Sequence, residues 1–236
     1  MEITKGKLLY EGKYKKLYST GSDDFLILHF KDNAYLARNE KTTIKNKGTN
    51  NCKISALLFK YFESHHIPTH FVELFKSNEV VIKRCDIFDF FVKVWNISAG
   101  SFSSRYKIKK GEALNMPIIE YYLKREELNY PMISADYIIA MGIAQEEELR
   151  TINQLSKKGN AVIKSFFARR SLELCEINFE FGKHKNKIML TDEISPDTFY
   201  FIDSSSKEKM DNRELIAKSQ NRPEAYLTLT NRICAK

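Results

Sequence analysis

Six short apolar segments between residues 8 and 97 constrain the fold of this chain most strongly. Each is rich in Leu, Ile, Val, Phe or Tyr and is bounded by breaker residues, which is typical of β-strands. One helix interrupts them, since Ile54, Leu58 and Phe62 belong to an apolar stripe at helical spacing. The predicted strands are 8–11, 15–20, 25–31, 71–75, 80–85 and 90–97.

The second part of the chain mixes helices and strands. The pattern predicts a strand at 118–123, a short helix at 135–141, a long helix at about 146–170, a hairpin and a last helix after Pro223. With only 9 glycines and 5 prolines in 236 residues, there is no long flexible linker. We therefore predict an α+β fold with two lobes: a small antiparallel β lobe, residues 1–85, and a larger α+β lobe, residues 86–236. The cleft between them is the expected ligand site.

Composition narrows the class of partner. A 43% hydrophobic and 29% charged chain is typical of an ordinary globular protein, and no apolar run is long enough to span a bilayer. The N-terminus lacks the apolar core of a signal peptide, and the four cysteines form no metal-ligand spacing, so we expect a cytoplasmic protein with reduced thiols. The net charge of +8 favours small anionic ligands, because no nucleic-acid motif accompanies it. We expect neither a nucleic-acid nor a membrane partner.

Two acidic residues in a predicted hairpin form the candidate metal site. If the hairpin is centred on Lys185, residue 180 lies opposite 190 and residue 178 opposite 192. Glu180 and Asp192 then point to the same face, because side chains alternate along a strand. Like charges on one face are unfavourable without a cation between them, and Mg²⁺ prefers carboxylate oxygens. The alternative is two solvated strand carboxylates.

Two further segments could bind phosphate. Gly12 lies in a predicted turn between two strands, where backbone N–H groups could approach an anion beside Lys13 and Lys15. Ser101 follows a strand and precedes a helical turn that contains Arg105, which can bind phosphate through two nitrogens. Either segment could instead be a simple turn or a capping segment.

Taken together, these segments resemble one family, the SAICAR synthetases (phosphoribosylaminoimidazole-succinocarboxamide synthases) of purine biosynthesis. The likeness covers nearly the whole chain, and its fold is expected here with ATP between the lobes. The segments that carry it are Tyr10-Glu-Gly-Lys13, Asn50-Asn51, Ile54-Ser-Ala-Leu-Leu-Phe59, His66-Ile-Pro-Thr-His70, Lys83, Asn96 with Ala99-Gly-Ser101, Pro131-Met-Ile133, Phe179-Glu-Phe-Gly182 and Asp192-Glu-Ile-Ser-Pro-Asp197.

The resemblance implies a ligase that joins a carboxylate to the amine of aspartate, using ATP and Mg²⁺ through an acyl phosphate. It places phosphate contacts at Gly12, Lys13 and Lys15, with Lys83 in the nucleotide site. Glu180 and Asp192 would face Mg²⁺ and, with Lys13, would serve catalysis. Ser101 and Arg105 would bind the ribonucleotide phosphate. The family also suggests a homodimer.

Three departures from the family pattern fall in the expected substrate region. Trp95 stands where the family has arginine, Asn178 where it has lysine, and Tyr200 where it has a second arginine. Losing three such contacts without replacement would cost roughly 5–9 kcal/mol if they were additive. We therefore expect Trp95, Asn178 and Tyr200 to line an altered substrate site, while the ATP half is intact.

The sequence leaves several functions open. The first is a divergent SAICAR synthetase, and the second is a paralogous ligase that joins a different carboxylate and amine. A small-molecule kinase is the third, since phosphoryl transfer needs little beyond the ATP half. A nucleotide-binding protein without ligase activity is the fourth. The retained Glu180, Asp192 and Lys13 favour an enzyme.

Overall fold

The computed structural model describes residues 3–35, 41–204, 219 and 221–235. Thirteen strands and five helices lie in these ranges, and a 3₁₀ turn spans Glu126–Leu128. The strands are β1 (Leu8–Glu11), β2 (Lys15–Ser19), β3 (Phe25–Phe30), β4 (Asn33–Tyr35), β5 (Lys41–Thr43), β6 (Phe71–Lys76), β7 (Glu79–Lys83), β8 (Asp86–Ile97), β9 (Ala113–Leu123), β10 (Met132–Ile133), β11 (Leu172–His184), β12 (Lys187–Thr191) and β13 (Phe199–Asp203). The helices are α1 (Lys47–Ser64), α2 (Gly100–Tyr106), α3 (Ala135–Ala140), α4 (Glu146–Ala168) and α5 (Arg222–Cys234).

The N-terminal sheet is antiparallel and has the strand order β1-β2-β3-β7-β6. Its central strands β3 and β7 are mostly buried, because Leu26, Leu28, Val80 and Ile82 face the core. The outer strand β1 is exposed along its whole length. The predicted all-antiparallel N-terminal sheet is confirmed, and β4 with β5 forms an additional two-stranded ribbon that the pattern did not predict.

The second sheet has the order β10-β9-β8-β11-β12, and β13 also pairs with β11. Long strand β8 pairs with β11 from Trp95 opposite Glu176 to Asp86 opposite Lys183. Strand β11 pairs with β13 through its first half and with β12 through its second half. It is therefore the strand from which side chains reach both parts of the site.

One continuous core joins the two sheets. The stripe predicted on α1 is confirmed, since Ile54, Leu58 and Phe62 are at most 1% exposed. Phe62 lies edge-on to Phe179 of the second sheet at 6.2 Å, and Phe59 stacks on Phe71 of the first sheet at 6.0 Å. Helix α1 thus holds both sheets in place.

The predicted α+β fold with an antiparallel N-terminal sheet is confirmed. The first sheet ends at Lys83 and the second begins at Asp86, but α1 packs against both. The division into lobes at residue 85 stays a prediction. In the described part of the chain, no helix is long and apolar enough to cross a membrane.

Candidate active site

The β11–β12 hairpin holds Glu180, but its register differs from the predicted one. Glu180 pairs with Thr191, and a two-residue turn of Lys185 and Asn186 connects the strands. Both turn residues have positive φ, 49° and 63°, as a tight hairpin requires. The predicted centre at Lys185 was wrong by half a residue, which shifts every cross-strand pair by one.

Asp192 reaches the same cavity as Glu180 by a different route from the one predicted. In the observed register, strict alternation would send residue 192 to the opposite face from residue 180. However, β12 ends at Thr191, and Asp192 has a left-handed backbone with φ of 63°. The chain turns there, and the carboxylate of Asp192 forms an ion pair with Lys15 of the first sheet.

A cavity of about 220 Å³ lies between the two sheets and contains both acidic residues; we call it the inter-sheet cavity. Apolar side chains of the first sheet, such as Leu17, Leu28 and Ile82, form one wall and suit a flat aromatic base. Its lining residues are Tyr10, Lys15, Lys16, Leu17, Leu26, Leu28, His70, Ile82, Lys83, Cys85, Ile87, Lys124, Glu180, Thr191 and Asp192.

Lysine and carboxylate side chains neutralise one another in the inter-sheet cavity. Lys15 pairs with Asp192, and its Nζ lies 3.0 Å from Oε1 of Glu193. Lys124, which the sequence analysis did not select, pairs with Glu180. Burial raises the pKa of Glu180, and the nearby charge of Asp192 raises it further. Burial also acts to raise the pKa of Asp192, but Lys15 outweighs it and holds that pKa below its usual value.

Two more residues of the inter-sheet cavity carry polar groups. Lys83, predicted at the nucleotide site, lines the cavity and donates from Nζ to the carbonyl of Thr69 at 3.1 Å. His70 is 2% exposed, and neither ring nitrogen has a hydrogen-bond partner in the described structure. Burial lowers its pKa to about 3, so the ring is neutral at pH 7. His70 appeared in the sequence only as part of the family segment, without a role.

The Gly12 turn differs from the phosphate-binding loop that was predicted. The N–H of Gly12 donates to the carbonyl of Lys15 at 2.9 Å and closes the β1–β2 hairpin, so it is not available to an anion. Lys13 pairs with Glu126 at the surface, and its side chain is 40% exposed. Of the three predicted residues, only Lys15 lines the inter-sheet cavity.

A second cavity, of about 420 Å³, lies further along β11, and we call it the polar cavity. Three of the predicted substrate residues, Ser101, Asn178 and Tyr200, line it. Two cations that the sequence analysis did not select, Lys93 and Lys110, line it as well. The other lining residues are Tyr14, Ala34, Tyr35, Gly100, Glu176, Pro196, Asp197, Thr198 and Phe199.

Helix α1 holds the acidic loop that connects the two cavities. Lys47 is 1% exposed and forms an ion pair with Asp197, and Nδ2 of Asn51 donates to the same carboxylate oxygen at 2.8 Å. Oγ of Ser55 accepts from the N–H of Ile194 at 3.0 Å. These contacts hold the loop whose first residue is Asp192, so α1 helps to position the predicted metal site.

The SAICAR synthetase family profile matches residues 8–232 of this chain. The chain belongs to the SAICAR synthetase family. It is 44% identical over 210 residues to a phosphoribosylaminoimidazole-succinocarboxamide synthase of Chlorobium phaeobacteroides, which is 89% of each chain. Over 232 residues it is 38% identical to the enzyme of the same name from Chlorobaculum tepidum, covering 98% of this chain and 99% of the relative.

Solved SAICAR synthetase structures share the fold. A phosphoribosylaminoimidazole-succinocarboxamide synthase from Ehrlichia chaffeensis superposes with a TM-score of 0.92 at 33% identity, covering 98% of this chain and 99% of that one. A type-2 SAICAR synthetase in complex with ADP superposes with a TM-score of 0.91 at 36% identity, covering 98% of both chains. The predicted two-lobed SAICAR synthetase fold is therefore confirmed.

Trp95 does not line the polar cavity, although it was predicted to line the same site as Asn178 and Tyr200. The side chain is 0% exposed and packs against Phe102 of α2 with ring centroids 5.2 Å apart. Its indole N–H donates to Oε2 of Glu120 at 2.7 Å. Helix α2 covers this part of β8. The replacement of the family's arginine by Trp95 therefore alters the core beside the polar cavity and not the lining of that cavity.

Arg105 is also held away from the polar cavity. Its guanidinium pairs with Glu120 and donates to the hydroxyl of Tyr122 at 2.9 Å. Tyr122 in turn donates to Glu120 at 2.6 Å. Because Glu120 neutralises the guanidinium, the predicted role of Arg105 in phosphate binding is not supported by its contacts.

Glu120 gives a pH-dependent contribution to stability. Burial acts to raise its pKa, but hydrogen bonds from Tyr122, Trp95 and Arg105 outweigh burial and hold the pKa below its ordinary value of 4.5. A depressed pKa in the folded state stabilises the protein above the unfolded pKa, and this contribution is lost as the pH falls through the folded value. We expect Glu120→Gln to lower the free energy of unfolding by about 1–3 kcal/mol at pH 7.

The difference between wild type and Glu120→Gln should shrink as the pH falls below 4.5, because the unfolded wild-type chain then takes up a proton that the folded carboxyl group resists. Urea unfolding at pH 7 and at pH 3.5 measures it. Glu146→Gln is the matched control, because Glu146 forms an exposed pair with Arg150. A difference that stays constant across these pH values would contradict the assignment.

The donor set of the inter-sheet cavity fits Mg²⁺ in the presence of a nucleotide. No group of three or more His, Cys, Asp and Glu side chains in the described ranges could hold a metal by itself. Glu180 and Asp192 bring two carboxylates to one cavity, and Mg²⁺ commonly takes one or two carboxylates, with phosphate and water completing its shell. Phosphates would also supply new partners for Lys15 and Lys124.

Proposed function

We propose that this chain catalyses the reaction named for its relatives: ATP-dependent joining of the carboxylate of phosphoribosylaminoimidazole carboxylate to the amine of aspartate. ADP, phosphate and the succinocarboxamide are the products. The named relatives, the family profile and the ADP complex of a 36% identical structure support this reaction over a kinase or a binding protein. The predicted Mg²⁺, homodimer and cytoplasmic location remain part of the proposal.

One observation carries the proposal: the two cavities share one face of β11. Glu180 lines the inter-sheet cavity, whereas Asn178 and Glu176 line the polar cavity. These three residues are every second residue of β11. Their side chains therefore point to the same face of the sheet, with about 6.6 Å between their successive Cα atoms. A nucleotide phosphate beside Glu180 would adjoin a carboxylate beside Asn178, which is the arrangement that phosphoryl transfer requires.

The residues can be given roles in this reaction. A substrate carboxylate oxygen displaces ADP from the γ-phosphoryl group, and the amine of aspartate then displaces phosphate from the acyl carbon and releases a proton. Lys15 and Lys124 lie where they would neutralise phosphate charge during the first step. Glu180 and Asp192 would hold Mg²⁺, which when bound neutralises and orients the phosphates. The apolar wall of the inter-sheet cavity excludes water from the nucleotide.

An assay of ADP and phosphate release tests the proposal. With the imidazole carboxylate ribonucleotide, aspartate and Mg·ATP together, we expect turnover on the order of 1–10 s⁻¹, a typical enzyme rate. Omitting aspartate should remove sustained turnover, because the acyl phosphate then has no amine acceptor. ADP release that needs neither the ribonucleotide nor aspartate would contradict the proposal.

A further inference from the structure

Lys93 brings a cation into the polar cavity next to Asn178, the position where the family has lysine. Lys93 of β8 is the cross-strand partner of Asn178 on β11, and paired residues point to the same face of a sheet. A lysine at 93 therefore reaches the space that a lysine at 178 would occupy. Both residues line the cavity.

Lys93 is held in position but keeps hydrogen-bonding capacity. Its side chain is 15% exposed, and Nζ lies 5.1 Å from the Trp95 ring centroid and 5.5 Å from that of Tyr122. Lys93 forms an ion pair with Glu176, whose Oε1 lies 3.7 Å from Nζ, but this distance is beyond that of a hydrogen bond. Glu120, the cross-strand partner on the other side, is paired with Arg105. The ammonium group thus has donors available for a ligand in the cavity.

Lys110 lies at the other end of the cavity, on the loop that follows α2. The N–H of Gly111 donates to the carbonyl of Ser98 at 2.8 Å, and the N–H of Ser98 donates to the carbonyl of Glu112 at 2.8 Å. These two bonds hold the loop against the start of α2, where Ser101 also lines the cavity. Lys110 is exposed and forms no ion pair with any described residue.

We infer that Lys93 and Lys110 hold the two anionic ends of the substrate, a carboxylate at Lys93 and a phosphate at Lys110. The inference rests on the proposed function and concerns which residues bind its ribonucleotide. The order along the strands supports the assignment. Phe91 of β8 is opposite Glu180 and Lys93 is opposite Asn178, so Lys93 lies next to the nucleotide end of the cavity.

The exposure of the two lysines and their separation along β8 support the same orientation of the substrate. Ser101 and Lys110 lie beyond the end of β8 at Ile97, which is about 13 Å along the strand from Lys93. A ribonucleotide that carries a carboxylate on its base separates its two anionic ends by a comparable length. A phosphate dianion is costly to desolvate, and it therefore belongs at the exposed lysine, whereas the reacting carboxylate belongs beside the enclosed one.

Steady-state kinetics of Lys93→Met and Lys110→Gln test the inference. Each change should raise the KM for the imidazole carboxylate ribonucleotide about 10- to 100-fold, because each removes a hydrogen bond between charged groups. The KM for ATP should stay within about twofold. Lys109→Gln is the matched control, since Lys109 is exposed on the same loop and does not line the cavity.

Moving the positive charge from residue 93 to residue 178 distinguishes substrate binding by Lys93 from a structural role. Asn178→Lys added to Lys93→Met returns the cation from across the strand pair, so it should recover at least a tenfold part of the lost affinity. Aminoimidazole ribonucleotide, which lacks the carboxylate, should bind Lys93→Met as well as it binds wild type, but Lys110→Gln more weakly. Unchanged ribonucleotide KM in both single variants, with wild type active, would overturn the inference and leave the proposed function standing.

Calorimetric binding of the carboxylate ribonucleotide separates the remaining outcomes. If wild type binds it without turnover and Lys93→Met weakens that binding, the proposed function fails and the inference stands. If wild type neither turns over nor binds it, both fail.

Discussion

Replacing Asp192 by Asn is expected to lower ATP-dependent turnover about 1,000-fold, the effect of losing several kcal/mol of transition-state charge stabilisation. Asparagine has nearly the same volume but no charge, so it is a poor ligand for Mg²⁺. The fold should survive, because Lys15 keeps Glu193 at 3.0 Å as its second carboxylate partner. ADP release with both acceptor substrates measures the loss, and thermal unfolding monitors the fold.

Asp24→Asn is the matched control for this variant. Asp24 also forms an ion pair with a lysine, Lys185, but both side chains are largely exposed. Its replacement should leave turnover within about twofold of wild type, as expected for a surface pair. If Asp192→Asn keeps more than a tenth of wild-type turnover, Asp192 is not a required metal ligand.

The strand and helix pattern could be predicted where one face is buried. The predicted strand at 90–97 is the buried end of β8, which in fact begins at Asp86. Of residues 86–89 only Phe88 is buried, and two aspartates interrupt the apolar run that marks the rest of the strand. Similarly, β9 begins at Ala113, five residues before the predicted start at 118. The pattern missed these residues because the first half of β9 is largely exposed. A hydrophobic pattern detects only the part of a strand that enters the core.

Glu180 and Asp192 show which features of the site could not be predicted from the pattern of apolar residues. Both residues line one cavity, but the hairpin turn consists of Lys185 and Asn186, which include no glycine to mark its centre. The left-handed backbone at Asp192 is equally invisible in a pattern of apolar residues. The presence of Glu180 and Asp192 in one cavity thus depends on these two backbone conformations, and the loop that follows Asp192 is held by contacts with α1.

The lining of the polar cavity could be predicted only in part, because the partners of its residues come from other strands. Arg105 was predicted to bind phosphate because the sequence does not show that Glu120 pairs with it. Lys93 carried no signal, since a lysine in an apolar strand is usually solvated. Its importance follows from register with Asn178, so cations lost at one strand position can return on the neighbouring strand.

Replacing Trp95 by Ala is expected to destabilise the protein by about 3–5 kcal/mol, as large-to-small changes in a core do. The indole is completely enclosed by Phe102, Ile97 and Cys175, so its loss leaves a cavity and removes a donor to Glu120. For a chain of this size, the melting temperature should fall by about 6–20 °C. Because Trp95 does not line the polar cavity, the KM for the ribonucleotide should stay within about threefold below the transition.

Trp95→Phe distinguishes packing from substrate contact. Phenylalanine keeps an aromatic ring against Phe102 but cannot donate to Glu120, whose carboxylate retains Arg105 and Tyr122. We expect it to lose about 2–3 kcal/mol of stability, the value of one hydrogen bond to a charged group with a small packing loss. A ribonucleotide KM raised tenfold in Trp95→Phe, with a melting temperature near that of wild type, would place the indole in the substrate site after all. The opposite result, an unchanged KM with a lowered melting temperature, would place Trp95 in the buried cluster beside the polar cavity and outside the substrate site.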